Sequence, residues 1–351
     1  DGAPRRGCTA LRGGLPAAGN GVIAAVIIGR NEGARLRACL ASLPGDLSPV
    51  IYVDSGSTDG SMAAARAHGA TAVALDAATP FTAARARNAG LARLDENVRF
   101  VQFIDGDCEL QPNWLPVAAE VLRSHPEAAV VCGRRRESNP NASTYNRLLD
   151  AEWATPIGDA KACHGDALVR LEAFLQVGGF RREMIAGEEP ELCVRLRSAG
   201  WKIYRIDAEM TTHDADMHRF SQWWRRAVRA GHAYAEGFAL HGLGPTRHNM
   251  REVFSTLVWT GVLPMLGLTM ALSLSVWVLI AMPLAYGLQV VRLAVKHRSR
   301  LGSWSVAWAF AGLAVVAKFA HLCGMLTYLC RRVRGSAPTL IEYKHPARSG
   351  S

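Results

Sequence analysis

Short apolar runs alternate with segments of helical periodicity along residues 21–133, and this alternation is the strongest constraint on the fold. The first run, GVIAAVIIG, is continuously apolar and rich in β-branched residues, which is typical of a strand buried on both faces. The alternation predicts an α/β fold with a mainly parallel, doubly wound sheet flanked by helices. The predicted strands are 21–29, 49–53, 70–75, 99–104 and 128–133, and the predicted helices are 35–43, 60–68, 81–93, 114–125, 190–199 and 220–240.

Acidic residues follow two of the predicted strands. Asp54 follows the strand 49–53, and Asp105-Gly106-Asp107 follows the strand 99–104. In doubly wound sheets ligands bind beyond the carboxyl ends of the strands, so we expect these carboxylates to converge. Two carboxylates at i and i+2 project from the same side of an extended backbone, and such oxygen ligands suit Mg²⁺ or Mn²⁺. The alternative is an Asp-Gly turn that only joins two strands.

The C-terminal third is strongly apolar. No charged residue occurs from Val253 to Val291, a span too long for one crossing of roughly 20 residues and suited to two crossings in a tight hairpin. A second apolar stretch, 304–329, contains Lys318 and His321 and is followed by arginines. Since a third full crossing would place those arginines outside, we expect this stretch to be re-entrant or interfacial. A buried helical core is the alternative to membrane insertion.

Charge and cysteine usage narrow the class of protein further. The net charge of +10 and the pI of about 9.5 indicate an anionic partner. No nucleic-acid-binding motif stands out, so a phosphate-bearing substrate or an acidic membrane face is favoured over nucleic acid. The eight cysteines form no Cys-x-x-Cys pair, which is typical of buried thiols in a reducing compartment.

Several local patterns occur in a set order along the chain. They are VIIGRNE at 26–32, VDSGSTD at 53–59, ARNAG at 86–90, DGD at 105–107, GGF at 178–180 and GEEPEL at 187–192. In order and spacing, over about residues 22–235, they resemble the family 2 glycosyltransferases of the GT-A fold. Within that family the chain is most similar to bacterial membrane-anchored transferases of exopolysaccharide assembly, such as the succinoglycan type.

The resemblance implies a nucleotide-sugar site with a divalent cation, Mg²⁺ or Mn²⁺, as cofactor. Glu32 and Asp54 would bind the nucleoside, with Asp54 contacting the base. Arg87 would contact the base or the diphosphate, although an exposed helical arginine is the alternative. Asp105 would bind ribose or metal, and Asp107 the cation that bridges the donor diphosphate.

The resemblance also implies a general base. The GEEPEL segment stands where the family usually has Glu-Asp or Asp-Asp, and its second acid, Glu189, would take the acceptor hydroxyl proton during in-line attack on the anomeric carbon. Because Glu is one methylene longer than Asp, Glu188 is the alternative base. Two acids beside Pro190 also complement the dipole at a helix start, and this role is compatible with catalysis.

A segment near residue 220 resembles the Gln-x-x-Arg-Trp acceptor motif of processive synthases. The acceptor-binding candidates are Gln222, Trp223, Trp224, Arg225 and Arg226, with Arg226 where the motif has Trp. Trp can stack on a sugar and Arg can pair with phosphate; the alternative is an amphipathic helix on acidic lipid headgroups. His213 is a candidate third metal ligand, with a structural histidine as the alternative. His164 and Asp166 are weaker candidates.

These patterns divide the chain into five predicted segments. They are a disordered segment (1–20), a GT-A glycosyltransferase domain (21–235), an interfacial linker (236–252), membrane-associated helices (253–335) and a C-terminal tail (336–351).

The function expected from the resemblance is that of an inverting, metal-dependent hexosyltransferase. It would move sugar from a nucleotide diphosphate donor, a UDP-hexose first, to a lipid or lipid-linked acceptor in exopolysaccharide or glycolipid synthesis. Its place would be the cytosolic face of a bacterial inner membrane. The alternatives are a small processive synthase that works as an oligomer, and a catalytically silent membrane scaffold. A Rossmann dehydrogenase is set aside, because no Gly-x-Gly-x-x-Gly follows the first strand.

Overall fold

The computed structural model describes residues 22–335 and Ile341. The predicted disordered segment 1–20 and, apart from Ile341, the predicted tail 336–351 lie outside the described residues. Within the described chain, nine strands form one sheet. The strands are β1 (Val22–Gly29), β2 (Val50–Asp54), β3 (Thr71–Ala74), β4 (Val98–Asp105), β5 (Cys108–Leu110), β6 (Ala128–Glu137), β7 (Gly158–Asp159), β8 (Ala167–Arg170) and β9 (Lys202–His213).

The sheet is mixed, with the order β3-β2-β1-β4-β8-β6-β9-β5 and with β7 paired to β9. The first four strands in this order are parallel, as predicted. β8 is antiparallel to both β4 and β6 and separates them. β6 therefore runs in the same direction as β1–β4, as predicted for 128–133, but it is not adjacent to β4. The short strand that intervenes lies in a region whose apolar residues have no clear period.

Helices cover both faces of the sheet and form the C-terminal part of the protein. They are α1 (Ala34–Ala41), α2 (Ser61–Ala67), α3 (Ala83–Leu91), α4 (Trp114–Ser124), α5 (Thr144–Trp153), α6 (Leu171–Gln176), α7 (Glu188–Ser198), α8 (Phe220–His241), α9 (Met250–Leu257), α10 (Leu263–Ser273), α11 (Val278–Leu301) and α12 (Trp304–Arg334), with a π-helical turn at Val258–Val262. The six predicted helices correspond to α1–α4, α7 and α8. α5, α6, β5 and the strands after β6 were not predicted.

The core of the sheet consists of the apolar runs that the sequence pattern identifies. Residues 24–27 of β1 are all fully buried, which explains why this strand shows no alternation. Gln102 of β4 is also fully buried, and its Oε1 accepts a hydrogen bond of 2.7 Å from Nε1 of Trp114. Because a buried amide must be paired, this bond helps to fix α4 on the sheet.

Three helical segments, Met250–Ser273, Leu279–Leu301 and Trp304–Arg334, are long and apolar enough to span a membrane. The first two agree with the predicted pair of apolar helices, but they begin before and end after the predicted span 253–291. The third is one uninterrupted helix of 31 residues, so the prediction of a re-entrant segment is wrong. An interfacial position of this helix stays a prediction.

α12 packs directly on α8, and two glycines allow the close approach. A Cβ at Gly324 would overlap the carbonyl oxygen of Val228, and one at Gly231 would overlap that of His321. Small residues at such crossings let helix backbones approach closely. The C-terminal helices are thereby joined to the sheet domain through α8. α8 continues to His241, beyond the predicted domain boundary at 235.

Candidate active site

A cavity of about 880 Å³ lies at the carboxyl ends of β1 and β4. At one end it is lined by Asp105, Asp107, Glu188 and Glu189. From there it extends along α8 to residues of the π-helical turn, α11 and α12, which include Trp259, Leu293, Phe310, Lys318 and His321. Strand ends, the first turn of α7 and the C-terminal helices therefore face one continuous space.

Asp105 ends β4 and is held by two arginines. Its Oδ1 accepts a hydrogen bond of 2.8 Å from Arg87 of α3, and its Oδ2 accepts one of 3.0 Å from Arg135 of β6. Its backbone N–H donates to the buried Asp166, which also pairs with Arg135 at 2.9 Å. Burial alone would raise the pKa of Asp105, but the two guanidinium groups outweigh it and hold the pKa below its usual range. Asp105 is therefore ionised and fixed in orientation.

Arg87 is a central member of this cluster rather than an exposed helical residue. Its side chain is 3% exposed, and it bridges Asp105 and Glu188, whose Oε1 lies 2.8 Å from Nη1. The alternative raised for Arg87 from sequence is therefore wrong. A Cβ at Gly165 would lie 2.9 Å from Nη2 of Arg87, so this loop must come close to the guanidinium without a side chain.

Asp107 and His213 face each other across the pairing of β5 with β9. Cys108 is opposite His213 in the register, which places Nε2 of His213 3.5 Å from Oδ2 of Asp107. The other ring nitrogen of His213 lies 3.6 Å from Oε2 of the buried Glu137. A carboxylate behind an imidazole is the usual support of a metal-binding histidine. Asp107, Cys108 and His213 are close enough to hold one cation.

Glu188 and Glu189 begin α7 after Gly187, whose φ is 78°. A Cβ at Gly187 would lie 2.9 Å from the Cβ of Ala233, so both the backbone angle and the packing on α8 require glycine here. Glu189 lines the cavity, and its Oε1 accepts a 3.4 Å hydrogen bond from the thiol of Cys193. Burial raises the pKa of Glu189 to about 7, a value suited to a general base near neutral pH.

The structure gives Asp54 a different environment from the one expected. Its Oδ2 accepts hydrogen bonds from the backbone N–H groups of Gly56 and Ser57, and its Oδ1 accepts one from the hydroxyl of Tyr52. Asp54 is 3% exposed and is not one of the described residues that line the cavity, although Ser55 is. These contacts order the turn that follows β2. Glu32 does line the cavity and pairs with Arg35 at 2.9 Å.

The five candidates at the start of α8 separate into two groups. Trp223 and Arg226 line the cavity, and Arg226 pairs with Glu152 at 3.0 Å. Gln222 instead caps the helix: its Oε1 accepts from the backbone N–H groups of residues 218 and 219. Trp224 and Arg225 are not among the described cavity-lining residues. The predicted acceptor motif thus contributes two cavity side chains.

Other cavity residues were missed from sequence. Arg135 lies in the strand β6, where a run of three arginines reads as a solvated edge. Lys318 and His321 were noted only as interruptions of an apolar segment. The available signal was that an ionisable residue inside such a segment usually faces the protein or a cavity. Asp166, a weak candidate from sequence, is fully buried within the Asp105 cluster.

Comparison with known proteins agrees with this arrangement. Residues 24–171 match the model of Glycosyl transferase family 2. No curated protein matches the sequence significantly. Among solved structures, a mannosyltransferase from Pyrobaculum calidifontis, in complex with GDP-Man and Mn²⁺, is 17% identical, with a TM-score of 0.57 over 88% of this chain and 87% of that one.

Two further solved structures are more distant. S. aureus TarS 1–349 is 14% identical, with a TM-score of 0.47 over 90% of this chain and 92% of that one. Glucosyl-3-phosphoglycerate synthase from Mycobacterium tuberculosis, in complex with Mn²⁺, UDP and glucosyl-3-phosphoglycerate, is 19% identical, with a TM-score of 0.46 over 63% of this chain and 80% of that one. Residues 24–171 therefore match glycosyltransferase family 2, the sheet domain has the GT-A fold, and helices long and apolar enough to span a membrane follow it.

Proposed function

We propose that this protein is an inverting, metal-dependent hexosyltransferase that moves a sugar from a nucleotide diphosphate donor to a lipid or lipid-linked acceptor. One observation carries the proposal: a single cavity joins Asp105, Asp107 and Glu189 to side chains of the C-terminal helices. The residues proposed for sugar transfer and the helices proposed to contact the membrane therefore line the same cavity. The proposed location is the cytosolic face of a bacterial inner membrane.

The donor diphosphate would lie at the strand ends. Asp107 and His213 fit a divalent cation, Mg²⁺ or Mn²⁺, because a carboxylate oxygen and an imidazole nitrogen 3.5 Å apart can share one ion and Glu137 supports the imidazole. When bound, the cation supplies a Lewis acid that offsets charge on the leaving nucleoside diphosphate. Asp105 is oriented by Arg87 and Arg135 to contact the ribose or the ion.

The acceptor would be activated by Glu189. A base must be unprotonated near neutral pH and must face the acceptor, and Glu189 has a pKa of about 7 and lines the cavity. Glu188 is less suitable, because its carboxylate is paired with Arg87 at 2.8 Å. In an inverting reaction Glu189 would take the acceptor hydroxyl proton as the oxygen attacks the anomeric carbon, and the donor diphosphate would leave on the opposite side.

The acceptor would enter from the side of the C-terminal helices. That end of the cavity combines apolar side chains, such as Leu293 and Phe310, with the cationic Arg226 and Lys318. This combination suits an amphipathic molecule with an apolar chain and a polar head. Trp223, which is also in the lining, can stack on a sugar ring.

Asp54 is the residue that bears on which nucleotide base the donor carries. The carboxylate of Asp54 accepts three protein hydrogen bonds, one at Oδ1 and two at Oδ2, so a uracil imide would have to use the remaining acceptor site of Oδ1. UDP-hexoses remain the first donors to test. GDP-mannose is the second, since the mannosyltransferase of the same fold was solved with it.

A donor screen tests the function. The full chain in detergent is incubated with UDP- and GDP-hexoses and an extract of bacterial lipids, with Mn²⁺, with Mg²⁺ or with a chelator. We expect nucleoside diphosphate release with one donor, transfer of radiolabelled sugar to the organic phase, and loss of both with the chelator. Asp107→Ala should abolish transfer, whereas the exposed Asp216→Ala should not. Inactivity of every donor with both metals would refute catalysis, and label found only in water-soluble product would refute a lipid acceptor.

A further inference from the structure

Two buried thiols lie against the carboxylate of Glu189. Cys193 is one helical turn after Glu189 in α7, so both side chains lie on the same face of the helix. Cys163 precedes β8, and its sulfur is 3.7 Å from that of Cys193. The sulfur of Cys193 is 3.4 Å from Oε1 of Glu189, and one ligand atom from each of the three residues lies within 4.8 Å of the other two. Nothing in the proposed transfer reaction uses these thiols.

Two of these three separations match those of ligands around a tetrahedral ion, and the third is within 4.8 Å. With Zn–S bonds of about 2.3 Å and tetrahedral angles, two sulfurs on one Zn²⁺ are about 3.8 Å apart. With a Zn–O bond of about 2.0 Å, a sulfur and a carboxylate oxygen are about 3.5 Å apart. The observed distances of 3.7 and 3.4 Å therefore need little rearrangement to accept the ion.

We propose that Cys163, Cys193 and Glu189 form a binding site for a thiophilic divalent cation of the Zn²⁺ class, and that an ion bound there stops sugar transfer. Binding follows from the three side chains alone. Inhibition rests on the proposed function, because it requires Glu189 to be the base. A carboxylate that donates its lone pair to a metal is not available to accept the acceptor proton.

The chemistry of the site separates it from the proposed donor cation site. Thiolates are soft ligands that favour Zn²⁺ over Mg²⁺ and Mn²⁺, and the proposed site has two of them, whereas the donor site combines the hard oxygen of Asp107 with a single thiol, Cys108. The hydrogen bond to Cys193, together with burial, raises the pKa of Cys163 well above its ordinary value. The hydrogen bond with Cys163 lowers the pKa of Cys193, but burial and the nearby Glu189 outweigh it and raise that pKa too, so both thiols are protonated without metal. Binding replaces each thiol proton by the metal and releases the proton to solvent, so affinity should increase with pH.

The cavity gives an ion a path to the site through Glu189. Glu189 belongs to the cavity wall, while Cys163 and Cys193 lie behind it, 6% and 0% exposed. An ion arriving through the cavity meets the carboxylate first and then the two sulfurs. Water would hold the remaining tetrahedral position, as in zinc sites with three protein ligands.

Metal binding is tested directly with Co²⁺, without donor or acceptor. The full chain in detergent and saturating Mg²⁺ is titrated with Co²⁺ under reducing conditions, and thiolate-to-cobalt charge-transfer absorption is recorded in the near ultraviolet. We expect one equivalent of Co²⁺ to produce the band and Zn²⁺ to remove it. Cys163→Ser/Cys193→Ser should lack the band, and Cys323→Ser/Cys330→Ser, which changes two exposed cysteines of α12, should keep it.

Cys163→Ala alone provides a second variant in case the double variant does not fold, and it should weaken Co²⁺ binding at least tenfold. An unchanged band in the folded double variant would place the thiolate ligand elsewhere, for example at Cys108, and would overturn the site. Absence of any band in the unsubstituted protein would also overturn it. This experiment needs no catalysis, so its result is independent of the transferase assay.

The inhibitory consequence is tested in the transfer assay at saturating Mn²⁺. Zn²⁺ should inhibit the unsubstituted enzyme and the Cys323→Ser/Cys330→Ser control, and a chelator that prefers Zn²⁺ should restore activity. Each thiol variant is compared with its own zinc-free rate, and its half-inhibitory Zn²⁺ concentration should rise at least tenfold. Equal inhibition of the variants and the control would refute the consequence even where Co²⁺ binding is confirmed.

Discussion

The guanidinium of Arg87 lies 2.8 Å from the carboxylate of Glu188, although the two residues are 101 positions apart. The same guanidinium is 2.8 Å from Asp105, so one side chain ties α3 to the end of β4 and to the start of α7. Both partners belong to the proposed transfer site. This pairing sets the relative position of the donor end of the cavity and the helix that carries Glu189.

Replacing Arg87 should therefore destabilise the protein as well as inactivate it. Arg87→Ala leaves two carboxylates without their shared cation in a largely buried place, and breaking such a pair costs on the order of 3 kcal/mol of the free energy of unfolding. Denaturant unfolding of the detergent-solubilised chain measures the loss. Arg93→Ala, at an exposed position just after α3, is the control and should change stability by less than about 0.5 kcal/mol. Equal stability of the two variants would contradict the role of Arg87.

Metal affinity should depend on Asp107, His213 and the carboxylate behind His213. We expect Asp107→Asn and His213→Ala to raise the Mn²⁺ concentration for half-maximal activity strongly. Glu137→Gln should weaken binding by about 10- to 100-fold, because the imidazole loses its orienting partner. Mn²⁺ binding followed by electron paramagnetic resonance reports the same quantity without turnover. His218→Ala, at a half-exposed histidine of the same loop, should bind Mn²⁺ normally; if it behaves like His213→Ala, the assignment is wrong.

The pH profile of transfer should report the titration of Glu189. Its pKa is raised to about 7, and only the ionised form can accept a proton, so the rate should fall about tenfold per pH unit below 7 and level off above it. Glu189→Gln should lower the rate by about 10² to 10⁴ and remove this dependence. Glu188→Gln should instead weaken the ion pair with Arg87 and change the KM for the donor. If Glu188→Gln removed the pH dependence and Glu189→Gln did not, the roles of the two acids would be reversed.

Binding of the lipid acceptor should depend on Lys318, the cationic side chain that α12 contributes to the cavity. Lys318→Met keeps the length of the side chain but removes the charge, and we expect it to raise the KM for the lipid acceptor at least tenfold, or about 1.4 kcal/mol. Hydrolysis of the donor in the absence of acceptor should be unchanged. Lys296→Met, at an exposed position of α11, is the matched control. Equal acceptor KM values in the two variants would exclude Lys318 from acceptor binding.

Two glycines of α12 should respond in opposite ways to alanine. A Cβ at Gly324 would overlap the backbone of α8, so Gly324→Ala should lower the melting temperature and separate the C-terminal helices from the catalytic domain. A Cβ at Gly312 would have no described atom within 4 Å, and Gly312→Ala should leave stability unchanged or raise it, since alanine favours a helix. Thermal unfolding in detergent compares them. A stable Gly324→Ala variant would contradict the tight α8–α12 packing.

Whether a feature of this protein can be predicted from the sequence depends on how close together in the chain the residues that form it are. Apolar patterning identified β1–β4 and α1–α4 to within a few residues, because an element buried on one side repeats its apolar residues with a fixed period and a strand buried on both sides is continuously apolar. It gave no indication of β8, which has only four residues and is buried on both faces. Arg87, Asp105, Asp107 and Glu189, which the motifs single out, all line the cavity. The motifs did not indicate that Asp54 and Gln222 use their polar atoms to order a turn and cap a helix.

The sequence by itself determined the class of fold, the strand ends that carry acids and the long apolar helices, since each depends on residues close together in the chain. Only the tertiary structure decided which charges meet. Arg87 reaches Glu188, His213 reaches Asp107 and Cys163 reaches Cys193 because the antiparallel β8 and the long β9 bring distant loops to one edge of the sheet. The cavity that connects these groups to α12 depends likewise on the close packing of Gly231 and Gly324. No local pattern encodes these contacts, because each is set by the register and packing of elements far apart in sequence.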